Sequence, residues 1–302
     1  MRFSKKAKHD VAYFLAPRLF ALISGLPRRL ALFLGAVLGL AAWRLSRRDR
    51  HRMTRHLTLV YGSSLSGADK HNIGRDFFVN SGKNLVDVIR LKEHYRDEIK
   101  PLVKVDGLEH IDRAHEKGHG VIGVTGHIGN FELLAVFLAE LGYHVAVIGR
   151  EMYDPRMDRF LVENREALGL ANIATTDSPR RLVEWLKDGG IVGVLIDIDS
   201  SRVRGMFMPV FGRLAQTPVG QSVLSLKTGA ALVPGACLRN ADNTYRITFK
   251  PEVTVQPSGD FDRDVYNLTL KCSRVLESII HENKSQWIWI HNRWCARPQE
   301  TA

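Results

Sequence analysis

Apolar and polar positions divide the chain into three regimes. Up to residue 43, long apolar runs are broken by Pro17-Arg18 and by Pro27-Arg28-Arg29, and the cleanest run, residues 30–43, is fourteen residues long. That is short of the ~20 residues a helix needs to cross a bilayer, and it suits a helix lying in an interface or packed in a core. Between residues 70 and 90, Ile73, Phe77, Phe78, Leu85, Val86 and Ile89 recur at roughly helical spacing. From about residue 103, short apolar runs alternate with helical patterns. Strands are predicted near 103–106, 121–125, 144–148, 171–175, 191–196, 231–238 and 245–250. Helices are predicted at 108–117, 130–141, 155–168, 178–187, 217–227 and 263–282. Continuous apolar strands alternating with helices imply an α/β fold with a mainly parallel sheet covered on both faces. The turn-rich stretch Tyr61-Gly-Ser-Ser-Leu-Ser-Gly-Ala68 marks the expected boundary between a helical segment, 1–60, and an α/β domain, 61–302.

Charge changes the reading of the first regime. Thirteen Lys/Arg and two acids up to residue 56 account for the whole net charge of +11, so the rest of the chain is neutral. Arginines crowd both ends of the 30–43 run and Trp43 closes it. Basic flanks with an aromatic at the edge suit a helix lying in an anionic membrane surface, bases on the cytoplasmic side. A secretory signal is the rival reading, since Lys5, Lys6 and Lys8 precede an apolar stretch, but the arginines at 44–55 resist translocation. A soluble core helix with a solvated basic face is a second rival. Nucleic acid is not an expected partner, because the bases are interleaved with apolar runs rather than groove-reading polar residues. Cys237, Cys272 and Cys295 are far apart and form no CxxC pair, which fits a reducing compartment and supports neither a disulfide framework nor a zinc site.

Candidate chemistry concentrates at Gly126-His-Ile-Gly-Asn-Phe-Glu132, between the strand at 121–125 and the following helix. Asn130 is a suitable N-cap, and Glu132 falls in the first helical turn, where the helix dipole favours its ionised form. A carboxylate there is placed to accept a hydrogen bond from one ring nitrogen of His127, leaving the other free as a base. Taken alone, the pair reads equally well as a capping interaction at a turn. No second His or Cys stands at metal-ligand spacing, so no metal or cofactor is expected.

Gly126-His-Ile-Gly-Asn-Phe-Glu132 resembles the GHxGNxE signature of the bacterial lipid A biosynthesis acyltransferases, within the wider HX4D/E glycerolipid acyltransferases. The resemblance continues in Arg55-His-Leu-Thr-Leu-Val-Tyr61, in Val210-Phe-Gly-Arg-Leu-Ala-Gln-Thr-Pro-Val-Gly220, in Lys227-Thr-Gly-Ala-Ala-Leu-Val-Pro234 and in Ser285-Gln-Trp-Ile-Trp-Ile-His-Asn-Arg-Trp294. It implies an α/β/α fold behind an N-terminal helical anchor at the cytoplasmic face of the bacterial inner membrane. It implies acyl transfer from acyl carrier protein or coenzyme A to a hydroxyl of a lipid A precursor, with His127 and Glu132 as the catalytic dyad. Under that resemblance, backbone N–H groups of the glycine turn are candidate oxyanion donors. Arg150, Arg165, Asn130 and Asp197 become candidate substrate-binding residues. Asp197-Ile-Asp199 and Asn292 depart from the family's usual residues, which leaves the acceptor open to a lysophospholipid, a glycolipid or an aminolipid. Arg202, Arg204 and Arg213 fall in an expected loop bordering the site. Trp287, Trp289 and Trp294 suit either a membrane-facing patch or internal packing. A non-catalytic lipid-binding protein on the same fold is the alternative of another class.

Overall fold

The computed structural model describes residues 18–149, 155–177, 179–199 and 203–295. Residues 18–25 are helical, and α1 (Arg28–Leu45) and α2 (Arg47–Tyr61) follow, with an 85° bend between them. The turn before α3 (Gly67–His94) carries a capping box. Ser66 Oγ accepts from the Asp69 N–H at 3.1 Å, and the Asp69 carboxylate accepts from the Ser66 N–H at 3.0 Å.

α1 lies along α3 at backbone contact. A Cβ on Gly82 would come within 2.1 Å of the Gly35 carbonyl oxygen, and one on Gly39 within 2.2 Å of that of Phe78. The spacing Gly35-Ala-Val-Leu-Gly39 thus clears one face of α1 for close approach. Its other face exposes Leu30, Phe33, Leu34, Val37 and Leu38, a single helical stripe. Among the described residues no single helix is long and apolar enough to cross a membrane.

Strand–helix alternation then runs as the pattern predicts: β1 (Val103–Asp106), α4 (Leu108–His115), β2 (Val121–Thr125), α5 (Phe131–Glu140), β3 (Val145–Gly149), α6 (Pro155–Ala167), β4 (Leu170–Ala174), α7 (Pro179–Lys187) and β5 (Ile191–Leu195). Beyond β5 the chain departs from expectation. β6 (Gly205–Val210) and β7 (Arg213–Pro218) pair as an antiparallel hairpin in place of a loop, and α8 (Gly220–Thr228) starts later than 217. β8 (Ala231–Arg239), β9 (Tyr245–Phe249) and α9 (Phe261–Glu282) complete the chain.

Seven strands form one sheet in the order β1-β9-β8-β2-β5-β3-β4. Each neighbouring pair is parallel except β8–β9. Successive side chains of a strand point to opposite faces, and both faces here are apolar. Val121 and Val233 pack with Leu133, Phe137 and Ile111 of α5 and α4. Ile122, Val124 and Leu232 pack with Leu268, Cys272 and Leu276 of α9. This is the layered α/β architecture the sequence implies.

Candidate active site

β2 and β5 are parallel neighbours in register, with Thr125 opposite Leu195. Two further residues along each chain bring His127 and Asp197 side by side at the carboxyl edge of the sheet, where α/β folds gather functional groups. His127 Nδ1 lies 2.8 Å from Asp197 Oδ1, and the His127 backbone N–H donates to Asp197 Oδ2 at 2.6 Å. The Trp287 indole N–H donates to the same Oδ2 at 2.8 Å. Asp197 is buried, so these three contacts replace its hydration. With the carboxylate ionised, Nδ1 carries the proton and Nε2 is left to meet a substrate.

Burial opposes charge on both members of the pair, and their contact opposes burial. Burial would lower the His127 pKa, but the hydrogen bond and charge of Asp197 hold it above the ordinary histidine value. Burial would raise the Asp197 pKa, but His127 and Trp287 hold it below the ordinary carboxylate value. The His291 ring stacks parallel to that of His127, centroids 6.5 Å apart. Its own pKa is lowered, by burial first and by the charge of His127 next.

The turn carrying His127 is fixed from several sides. A Cβ at Gly126 would stand 2.7 Å from Asp197 Oδ2, so the close approach of carboxylate and backbone requires glycine. Gly129 has φ +59, and a Cβ there would come within 1.9 Å of the Cys237 carbonyl oxygen. Its N–H donates to the Gln286 carbonyl at 2.9 Å, and its carbonyl accepts from Asn84 Nδ2 at 2.9 Å. Ile128 and Asn130 donate to Gly126 and Cys237 carbonyls at 2.7 and 2.8 Å. The N–H groups from His127 to Asn130 therefore all serve the turn itself. This corrects the expectation that they are free for an oxyanion.

Glu132 does not meet His127 as the spacing suggested. Its carboxylate is held by Arg165, with Nε to Oε2 at 3.1 Å and Nη2 to Oε1 at 2.5 Å. Arg165 also donates from Nη1 to Asn172 Oδ1 on β4 at 2.7 Å. Three of its donors are thus used inside the protein. Asn130 is the N-cap of α5: its Oδ1 accepts from the Leu133 N–H at 3.2 Å, and its Nδ2 donates to Tyr245 Oη at 3.1 Å. Arg150 and Arg202 lie outside the described residues. Arg204 pairs with Asp262 at 2.7 Å, and Arg213 donates to the Leu59 carbonyl at 2.9 Å, so neither faces His127. Trp287 and Trp289 are buried against each other, centroids 4.6 Å apart, which settles them as packing. Among the described residues no group of three or more His, Cys, Asp or Glu is placed to hold a metal.

Two cavities share Phe131 and Glu132 in their walls. A groove of about 310 Å³ runs between α3 and the turn, lined by Phe77, Asn84, Val88, His127 and Ile288. A narrow cavity of about 60 Å³ lies between α5 and the sheet, with Leu134, Leu138, Val145 and Val233 in its walls and Arg165 at its polar end. The face of α3 opposite α1 forms the groove wall, so α3 separates the exposed α1 stripe from the histidine. Sequence reading assigned Asn84 no role, and it marked Gln286 and Trp287 only as part of the segment 285–294 and as packing or a membrane-facing patch, not as neighbours of His127 and Asp197.

Residues 1–296 match the family described as bacterial lipid A biosynthesis acyltransferase. The lipid A biosynthesis palmitoleoyltransferase of Escherichia coli (strain K12) is 25% identical over 287 residues, covering 90% of this chain and 87% of the relative. The lipid A biosynthesis lauroyltransferase of the same organism is 25% identical over 284 residues, covering 92% and 89%. A phosphatidylinositol mannoside acyltransferase of Mycobacterium tuberculosis (strain CDC 1551 / Oshkosh) is 26% identical over 137 residues, covering 44% and 43%.

Proposed function

Since the chain belongs to the bacterial lipid A biosynthesis acyltransferase family, and is an acyltransferase, we propose that it moves a fatty acyl chain from a thioester of acyl carrier protein or coenzyme A to a hydroxyl of a lipid A precursor. The observation that carries the mechanism is the His127–Asp197 contact with Nε2 left open on the groove. Nε2 takes the proton of the acceptor hydroxyl as its oxygen attacks the thioester carbonyl. Asp197 holds the imidazolium that forms. As the tetrahedral intermediate collapses, the C–S bond breaks and the thiolate leaves with the proton from Nε2. No acyl-enzyme, metal or cofactor is called for. Such base assistance is worth roughly 10²–10⁴-fold. The first turn of α5 supplies the oxyanion donors: of the N–H groups a helix start leaves unpaired, that of Leu133 is capped and those of Phe131 and Glu132 are available. The Glu132–Arg165 pair is a polar collar where both cavities meet and contacts the reacting ester.

The α1 stripe rests in the bilayer interface at the cytoplasmic face of the inner membrane, and basic residues of 1–56 beside it, such as Arg29 and Arg44, meet its anionic headgroups. A lipid acceptor then reaches the groove along α3. A lysophospholipid, glycolipid or aminolipid acceptor fits the same chemistry. The test is the full chain in detergent with acyl-carrier-protein and coenzyme A thioesters and a panel of lipid hydroxyls, beside His127→Ala. Transfer by the wild type and a loss of at least ~10²-fold in the variant is the expected outcome. Equal rates would remove His127 from the chemistry, and no transfer by either would favour a lipid-binding protein.

A further inference from the structure

A second concave site lies behind the catalytic wall and has no part in the steps above. Arg48, His51, Arg52, Arg55 and His56 of α2 line a cleft of about 400 Å³ that is closed by Asn292 on the other side. No carboxylate lines it, and among the described residues none forms an ion pair with Arg48, Arg52 or Arg55. Like charges three or four residues apart on a helix repel one another. Here Arg48 and Arg55, exposed, and Arg52, half-buried, border one concavity, an arrangement that a bound anion relieves. The field of Arg55 and Arg52 reaches His56, whose pKa is lowered by burial first and by those charges as well. The Trp294 ring lines the same cleft, and its buried indole N–H has no acceptor among the described residues.

The cleft is coupled to the catalytic wall by short links. Arg52 Nη1 donates to the Ile290 carbonyl at 2.9 Å, and His56 Nδ1 lies 2.7 Å from the Trp289 carbonyl oxygen. That same segment places Trp287 on Asp197 and His291 beside His127. One step along the chain, therefore, His291 faces the reaction and Asn292 the basic cleft. A flat bilayer surface is a poor occupant of a concavity. The apolar stripe that suits a bilayer belongs to α1, which is bent 85° from this helix.

We propose that this cleft is a phosphate-ester subsite for a substrate of the acyl transfer, with Arg48, Arg52 and Arg55 as its charged donors. Guanidinium groups match phosphate oxygens in paired hydrogen bonds. The proposal rests on the acyltransferase reading above. Two sources share the chemistry: the phosphopantetheine arm of the acyl donor and a sugar phosphate of the lipid acceptor.

The experiment uses the full chain in detergent and the double variant Arg48→Ala/Arg55→Ala, both sites being exposed. Arg47→Ala, on the same helix but outside the cleft, is the control. In the donor arm, kcat/KM is compared for acyl-pantetheine 4′-phosphate and acyl-pantetheine. In the acceptor arm, it is compared for a phosphorylated lipid acceptor and the same lipid dephosphorylated. The double variant is expected to lose about 100-fold of the preference for phosphate in one arm, which identifies the source, while Arg47→Ala keeps it. An unchanged preference in both arms overturns the subsite, whether or not vesicle binding is lost. Direct titration with pantetheine 4′-phosphate and with glucosamine 1-phosphate, followed by ³¹P NMR, separates the two readings. Arginine-dependent binding without any acyl transfer sinks the acyltransferase chemistry and keeps the cleft. Transfer with neither probe bound sinks the cleft alone.

Discussion

In the proposed mechanism His127 must be neutral to take a proton, and Asp197 works against that by favouring the charged ring. The pKa of His127 is raised above its ordinary 6.5, so kcat/KM should climb with pH through a limb lying above that value. Asp197→Asn removes the charge that raises it. The limb should then move to lower pH while kcat falls, because the imidazolium formed in the reaction loses its counter-charge. Glu132→Gln should lower activity without moving the limb, since Glu132 is held by Arg165. A shift as large as that of Asp197→Asn would return Glu132 to the role of ring partner. Sequence order explains why the actual partner was hidden. Asp197 is 70 residues from His127, and their meeting depends on β2 and β5 being neighbours in register. Glu132 is close along the chain, but α5 begins between the two residues and turns it toward Asn172 and Arg165.

At the scale of elements, the alternation from β1 to β5 was legible because the inner strands bury side chains on both faces, and β1, with Lys104 and Asp106 exposed, alternates apolar and polar residues. The β6–β7 hairpin was not. Its two-residue turn holds Phe211 at φ 48 and Gly212 at φ 72, so both central residues take the left-handed form that Asn-Gly or Asp-Gly normally announces. A phenylalanine in the first place removes that signal. α2 was covered only by the broad expectation of a helical segment over 1–60, without limits of its own, because only Met53, His56 and Leu57 of it are buried and its bases read as a charge run. The catalytic turn is the least tolerant of these elements. Gly129→Ala meets both a left-handed φ and the Cys237 carbonyl at 1.9 Å. Thermal denaturation should show a loss of at least roughly 1–3 kcal/mol, with acyl transfer reduced further because the His127 backbone moves with the turn.

On the whole molecule, the apolar stripe of α1 and the basic residues around it should make separable contributions to vesicle binding. Phe33→Glu with Leu38→Glu should abolish sedimentation with anionic vesicles at any salt concentration, since the apolar contact is lost. The wild type should keep a salt-resistant part of its binding and lose only the part due to charge. Equal salt sensitivity in both proteins would mean that the stripe does not enter the lipid. The sequence showed an apolar run too short to span and flanked by bases. It could not show which side of the run is covered, because that depends on the Gly35 and Gly82 contact between α1 and α3.

That contact and its neighbours bear on how the enzyme can be handled. Asp87 of α3 is fully buried and is held by Arg28 of α1 at 2.8 Å, by Arg239 of β8 at 2.8 Å and by Tyr245 Oη at 2.8 Å. Arg90, equally buried, donates to the carbonyls of Ile23, Ser24 and Leu26 at 2.9, 2.7 and 2.7 Å. Clipping the greasy leading helices to obtain an easily purified catalytic fragment would take Arg28 from Asp87, which keeps Arg239 and Tyr245, and three carbonyls from Arg90, which keeps only Glu98 at 2.7 Å. Each hydrogen bond to a charged group lost in this way costs about 1.5–3 kcal/mol, and several together are a large share of the margin by which any domain stays folded. Asn84, one turn before Asp87, is the residue that steadies Gly129. A fragment lacking these helices should accordingly be handled as a damaged enzyme, and detergent rather than truncation is the route to a working preparation.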